Sequence, residues 1–455
     1  MNPILREIRH SPLLWMLVFV PLVLAVEWIA PSAHTVLFVL AILAIVPLAA
    51  LLGHATESVA EKTGDAIGGL LNATLGNMTE LIIALAALHA GEYMLVKASI
   101  AGAIVTNSLF MLGASFLLGG LRHHVQEYNR AGGRLYSALL LMATIALLAP
   151  AAVADLDLAG GGATAQNLSA GLAILLIAAY GLGLLFSLNT HKELFASKDH
   201  SEVDGTSWPI GLAVGTLIVV TVLVALVSEI FVESVQNAGE TLGMSPAFVG
   251  FIIVALVGAA AEMAVAFSAA RNNRLDMSVS IALGSASQIA LFVAPVLVLL
   301  SYFIGPKPMD LQFWPGAVTM VMISAVTASF ITNTGRSAWF IGALLVFIYA
   351  IFAMTLYILP PVTKHAASIN FQDGSCRCPG QNSLNYLGAL RSAVLRTSKI
   401  TAVDQPNNST PFIAVIGPSK RQRGTGTISP YPSVVKLTKA KYNASAPSGV
   451  ASTKA

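Results

Sequence analysis

The chain has 455 residues, 56% of them hydrophobic and only 10% charged. Soluble globular domains carry about a quarter charged residues, so this balance excludes an ordinary soluble fold and implies membrane embedding. The formal net charge of +3 averages two unlike regions: residues 1–362 hold 13 Lys and Arg against 20 Asp and Glu, while residues 363–455 hold 12 against 2. Cys376 and Cys378 are the only cysteines and sit in the basic region, so neither a disulfide framework nor a thiolate metal site supports the main body.

A spanning helix needs about 20 largely apolar residues. Eleven segments meet this, near 12–31, 35–53, 65–90, 95–119, 134–154, 167–188, 208–232, 244–271, 277–304, 312–332 and 337–359. The first follows Arg6 and Arg9, runs long, ends near Glu27 and has no clear small-residue cleavage site, so it reads as a retained helix and not a signal peptide. Short Gly, Pro, Asn or charged stretches separate most of the others, as at Arg130-Ala131-Gly132-Gly133 and Gly305-Pro306-Lys307-Pro308. The short loops test the count, because cytoplasmic loops carry an excess of Lys and Arg. With the N-terminus in the cytoplasm, the inner segments hold Arg6, Arg9, Lys62, Arg122, Arg130, Arg134, Lys192, Lys198, Arg271, Arg274 and Arg336, and the outer loops only Lys97 and Lys307. The expected fold is an all-α, multi-pass membrane protein of about eleven transmembrane helices, with its C-terminus on the outer side.

The sequence also repeats at a constant offset of 182: Gly76 matches Gly258, Glu80 matches Glu262, Ala84 matches Ala266, Gly102 matches Gly284 and Leu109-Phe110 matches Leu291-Phe292. Apolar helices match by chance at Ala and Leu, but rarely at Gly and Glu in register. The repeat predicts an N-terminal helix in 1–34, a first five-helix repeat in 35–190, a cytoplasmic linker in 191–207 and a second repeat in 208–362. An odd number of helices turns the second copy upside down, the inverted-repeat plan that holds substrate near the midplane between copies. Residues 363–455 are rich in Ser, Thr, Pro, Asn and Lys without period or long apolar run, and read as a disordered tail.

Glu80 follows Gly76-Asn77-Met78-Thr79 and runs into Leu81-Ile82-Ile83, and Glu262 lies in Gly258-Ala259-Ala260-Ala261-Glu262-Met263. An ionised carboxylate at the bilayer centre costs about 2.5–3.5 kcal/mol even on lenient scales, so such residues face a partner or a water-filled cavity. Gly and Glu four apart share one helical face, letting a neighbouring backbone approach where the carboxylate projects. Two carboxylates related by the repeat offer two negative charges to a divalent cation, and Ca2+ takes about six to eight oxygens. The candidate cation-binding set is Glu80, Glu262, Asn77, Thr79, Asn107, Ser285 and Gln288, with Thr74, Thr106 and Ser287 nearby. When the cation leaves, the paired anions are costly in low dielectric, and protons on Glu80 and Glu262 replace it. Gly76, Gly258, Gly102 and Gly284 are the candidate hinges. Glu57 and Glu229, placed near helix ends, are candidates for gathering cations on the access path, against a plain solvated role. The expected passengers are Ca2+, with Mn2+ and Na+ as alternatives, and H+. The expected partners are inorganic cations and the lipid bilayer, with no nucleic acid and no resident cofactor.

At these residues the sequence resembles the calcium/cation–proton antiporter family. The likeness runs from Ala55-Thr56-Glu57 through Gly76-Asn77-Met78-Thr79-Glu80 to Lys97-Ala98-Ser99-Ile100 and Asn107. It resumes from Ser228-Glu229 through Gly258–Glu262 to Leu275-Asp276, Ala282-Leu283-Gly284-Ser285, Gln288 and Pro295. It covers about residues 12–360. The resemblance implies an eleven-helix fold, metal bound by Glu80 and Glu262, and a proton-driven cycle. The chain departs from the family pattern at Ala259 and Met263, where the family has Asn and His, and at Ala103 in place of serine. The alternatives are a sodium-coupled or sodium/proton exchanger built on the same acidic pair, or a channel or non-transporting membrane sensor with a degenerate site. No nucleophile elbow, P-loop, zinc-binding His pair or dinucleotide fingerprint appears, so an enzyme is not expected.

Overall fold

At membrane depth no water satisfies backbone N–H and C=O groups, so a long apolar run must satisfy them within itself as a helix. The computed structural model describes residues 11–63, 68, 70–71, 74–154, 161–190 and 208–361. The linker at 191–207 and the tail at 363–455 lie outside the described residues. In chain order the helices are α1 (Pro12–Ile29), α2 (His34–Thr63), α3 (Met78–His89), α4 (Tyr93–His123), α5 (Arg130–Ala154), α6 (Gln166–Thr190), α7 (Ile210–Leu242), α8 (Pro246–Gly258), α9 (Ala260–Arg271), α10 (Leu275–Leu300), α11 (Pro315–Thr332) and α12 (Trp339–Ile358). Among the described residues nine of these are long and apolar enough to cross a membrane, and α8 with α9, bent by 58°, makes a tenth when the pair is counted as one span. The short apolar α3 stands where the sequence predicts the remaining span.

The helices α2 and α7 run past the predicted segments at 35–53 and 208–232. They hold 30 and 33 residues, about 45–50 Å at 1.5 Å per residue, against a hydrocarbon core of about 30 Å. The extensions stay helical because their charges share one exposed side: Glu57, Glu61 and Lys62 on α2, and Glu229, Glu233 and Glu240 on α7. The opposite side buries Thr56, Ser58 and Val59, and Phe231, Val232 and Val235. The two helices pack along each other at the start of the two repeats.

Local irregularities recur at the repeat offset. Helix breaks fall at Gly76-Asn77, before α3, and at Ala259, between α8 and α9. Turns of π-helix interrupt α4 at Thr106–Met111 and α10 at Ile289–Val293, a distortion common at functional sites. Tertiary contacts then sort the loops into two ends. At one end β1 (Val125–Glu127) pairs antiparallel with β2 (Arg336–Ala338), His123 Nε2 lies 3.0 Å from the Arg271 carbonyl, and the Asn129 N–H donates to Asp276. At the other, Lys97 Nζ donates to Asp310 at 2.5 Å and to the Gln312 carbonyl at 3.0 Å, and Gln236 donates to Glu92. Each contact joins loops that the Lys and Arg distribution assigns to the same side.

A tight helix crossing lies between α4 and α8. A Cβ on Gly102 would stand 2.1 Å from the Phe251 carbonyl oxygen and 2.4 Å from its Cα, and one on Gly250 2.7 Å from Ala98 Cβ. Gly102→Ala therefore forces two backbones apart. We expect it to destabilise the protein by about 1–3 kcal/mol, as overpacking does, read as a lower melting temperature in detergent. Gly53→Ala, where nothing lies within 4 Å, should melt with the native protein.

Candidate cation site

Each helix break puts a carboxylate in the first turn of the helix that follows. Asn77 leaves the helical conformation with φ −99° and ψ 27°, and Glu80 then lies in the first turn of α3. Ala259 does so with φ −80° and ψ 3°, placing Glu262 in the first turn of α9. A helix N-terminus carries partial positive charge and unsatisfied N–H groups, the end at which a carboxylate is favoured. The sequence thus breaks two apolar helices where their rare charges need support.

The two carboxylates converge. Glu80 lies against the end of α8, so that a Cβ on Gly258 would meet its Cγ at 2.9 Å and its Oε1 at 3.3 Å. Gly258 is four residues before Glu262, so Glu80 lies at the break that leads into the Glu262 helix. One oxygen of each carboxylate, Oε1 of Glu80 and Oε2 of Glu262, is buried without a hydrogen-bond partner, as is Oδ1 of Asn107. Buried polar atoms are almost always partnered. Three orphaned oxygens, two of them from carboxylates, form the donor set that a hard cation takes. Among the described residues no group of three or more His, Cys, Asp or Glu side chains comes together, so a cation here must draw its other ligands from neutral oxygens.

Neutral groups from both repeats are tied together at this point. Asn107 Nδ2 donates to Ser285 Oγ at 2.9 Å, Ser285 Oγ donates to Asn77 Oδ1 at 2.7 Å, and Asn77 Nδ2 donates to Gln288 Oε1 at 2.7 Å. Ser285 also lies beside the Glu262 carboxylate. The chain fixes which way each amide faces and leaves Asn107 Oδ1 over. At the offset of 182, Asn77, Asn107 and Ser285 correspond to Ala259, Ile289 and Ala103, all buried and apolar. Gln288 corresponds to Thr106, which donates to Tyr349 Oη at 3.1 Å.

Of the predicted set, Glu80, Glu262, Asn77, Asn107, Ser285 and Gln288 come together. Thr79 is buried beside Glu80, and among the described residues no hydrogen bond joins it to the cluster. Ser287 turns away, donating to the carbonyls of Leu283 and Tyr136. Gly76 and Gly258 lie at the breaks, whereas Gly102 and Gly284 sit in continuous helix. Glu57 and Glu229 lie within α2 and α7, not at helix ends, and both are exposed. Sequence reasoning missed a cavity of about 550 Å³ lined by Tyr136, Leu139, Tyr180, Gly284, Ser287 and Gln288. It reaches the cluster through Gln288, from the end of the bundle that carries Arg130 and Arg134. Its signal is two tyrosines in otherwise apolar helices, each with a polar end in need of a partner.

Ser285→Ala removes the middle of the chain and strands two amides. Leaving buried groups unsatisfied costs about 1–3 kcal/mol, so thermal melting in detergent should fall correspondingly. Thr319→Ala, whose hydroxyl returns to the Pro315 carbonyl on an exposed turn, should change it little.

A family model described as sodium/calcium exchanger protein matches residues 33–189 and 212–358. A Ca(2+)/H(+) antiporter of Aphanothece halophytica is 40% identical over 363 residues, 77% of this chain and 97% of that protein. The Ca(2+)/H(+) antiporter ChaA of Bacillus subtilis (strain 168) is 40% identical over 332 residues, 72% of this chain and 93% of its own length. The solved structure of native YfkE superposes with a TM-score of 0.65 at 37% identity, covering 75% of this chain and 98% of that one.

Proposed function

Since the chain belongs to the sodium/calcium exchanger protein family, we propose that Glu80 and Glu262 form one midplane site at which it alternately binds Ca2+ and protons. The protein is a secondary active antiporter that exchanges Ca2+ for H+. The observation that carries the assignment is the pair of buried, unpartnered carboxylate oxygens, one from each repeat, beside an unpartnered amide oxygen.

The exchange follows from charge. Two carboxylates balance the 2+ charge of one Ca2+, and the Asn107 amide oxygen adds a neutral ligand. When the cation leaves, two anions face each other where water is scarce, and burial with like charge favours their protonation. The empty, doubly ionised site is the state least able to reorient through low dielectric, so the site turns over loaded with Ca2+ or with protons. The repeats 35–190 and 208–362 are the two halves that move against each other. The cavity at Tyr136, Tyr180 and Gln288 is the cytoplasmic route to the site, with the N-terminus inside and the tail outside. Glu57, toward the inner end of α2, and Glu229, toward the outer end of α7, place negative charge on opposite sides of the membrane, where each draws cations toward the site. Mn2+ and Na+ compete at the same oxygens.

In reconstituted vesicles an imposed pH gradient should drive Ca2+ uptake. Glu80→Gln and Glu262→Gln should each reduce it to the level of protein-free vesicles. Uptake driven by a sodium gradient but not by a pH gradient would replace the proton-coupled reading with the sodium-coupled one, and coupled flux retained in either mutant would end the two-carboxylate assignment. The topology has a test without mutation, because Cys376 and Cys378 are the only cysteines. A membrane-impermeant maleimide should label them on intact cells, and labelling only after permeabilisation would place the tail inside.

A further inference from the structure

A buried hydroxyl in a helix ordinarily returns its proton to its own backbone. Here Ser108 donates to the Ile104 carbonyl at 2.6 Å, Thr144 to Leu140 at 2.8 Å, Ser234 to Phe231 at 3.0 Å and Ser324 to Val321 at 2.7 Å. Among the described residues three buried hydroxyl oxygens have no partner: those of Thr56, Ser115 and Ser228. Ser115 has only Leu297 as its counterpart at the repeat offset. Thr56 and Ser228 are different, because at an offset of 172, ten short of that between the glutamates, they hold the same place in matching tripeptides. They occupy the tripeptides Ala55-Thr56-Glu57 and Val227-Ser228-Glu229 on the opening helices of the two repeats, and are 2% and 0% exposed.

Helix packing carries each toward the glutamate of the opposite repeat. The helix α7 packs along α3, which begins at Glu80's turn, and α2 packs against α9 and the end of α8, which flank Glu262. For the first pair the register is known. Gln236, late in α7, donates to Glu92, just past the end of α3, so the two helices run in parallel. At 1.5 Å per residue, Ser228 lies about 12 Å and Glu80 about 18 Å back from that tie, which puts the two residues within about one helical turn of each other along the axes of the packed helices. The inverted repeat gives Thr56 the same relation to Glu262.

We propose that Ser228 and Thr56 are positioning residues of the exchange site, Ser228 serving the Glu80 carboxyl and Thr56 that of Glu262. This rests on the two-glutamate site above. A hydroxyl suits such a post better than an amide or an ammonium group. It donates to a carboxylate and, by rotating, accepts from a carboxylic acid, so it does not hold its partner in one protonation state. In the arrangement described here both hydroxyls and both facing carboxyl oxygens are unpaired together, so the bonds belong to another stage of the cycle, when protons have replaced the cation and each acid needs an acceptor.

The test compares pH-gradient-driven Ca2+ uptake with isotopic Ca2+/Ca2+ exchange, which bypasses the protonated stage, in vesicles holding equal amounts of full-length protein. Ser228→Ala and Thr56→Val should each lower the ratio of the first rate to the second about tenfold, while Ser228→Thr and Thr56→Ser restore it to within about twofold, the loss corresponding to about one hydrogen bond. An unchanged ratio in Ser228→Ala and Thr56→Val overturns the inference, as does equal loss of both rates, which marks a purely structural role. These outcomes are separable from failure of the site itself, which shows as coupled flux surviving Glu80→Gln or Glu262→Gln.

Discussion

Two like charges in a dry interior are the interaction around which the rest of this protein is arranged. Coulomb repulsion that water would screen to about 1 kcal/mol at 4 Å becomes several times larger inside a protein, and Glu80 and Glu262 face each other there. Each accommodation in the fold lowers the cost of one state of that pair without satisfying it permanently. The helix breaks at Asn77 and Ala259 put each carboxylate at a helix N-terminus. Gly258 lets the Glu80 side chain lie against the helix that leads to Glu262. The network from Asn107 to Gln288 ties the neutral groups to one another and leaves Asn107 Oδ1 and one oxygen of each carboxylate unpaired. A site fully satisfied without its ion would have no reason to take one.

The neutral ligands are all on one side of the pseudo-symmetry. Asn77, Asn107, Ser285 and Gln288 make a linked cluster, and their counterparts Ala259, Ile289 and Ala103 are apolar, with Thr106 committed to Tyr349. An inverted repeat sets the backbone symmetry of a site but not its chemistry. The Glu80 half is a rigid, hydrogen-bonded wall, while the Glu262 carboxylate has Ser285, borne on its own repeat's α10, as its polar neighbour. A cation held this way takes its charge balance from both repeats and its geometry mainly from one cluster, so changes in that cluster should alter which ion is chosen while leaving coupling intact.

Much of this was legible in the sequence because Gly and Glu are rare enough in apolar helices for a constant offset to be informative. The eleven segments, the loop charges and the pair Glu80 and Glu262 all came from that contrast. The hydrogen-bond chain was not legible as a chain, since Asn77 meets Gln288 and Ser285 only through the mutual register of α3 and α10. Helix lengths failed where the predicted segments stopped short of Glu57 and Glu233, because the exposed placement of those charges lets α2 and α7 continue. Thr56 and Ser228 escaped for a simpler reason. They are 172 residues apart, so a search at an offset of 182 passes them by, ten residues having been gained or lost between the opening helix and the glutamate in one copy.

The glycines show why symmetry of sequence need not mean symmetry of structure. A Cβ at Gly102 would strike the Phe251 backbone, whereas among the described residues one at its counterpart Gly284 would meet only the Tyr136 ring, at 3.7 Å, beside the cavity. An inverted repeat that opens to one side of a membrane at a time must hold its two halves in unlike states. A residue that is crowded in only one of two states must still be small in both, so the contact of Gly284 with Tyr136 in this arrangement is no argument that a larger side chain would serve there. On the proposed function the same reasoning extends to the orphaned oxygens of Glu80 and Glu262: whatever the protein offers them in another state, it leaves them unpaired in this arrangement because a cation would fill them.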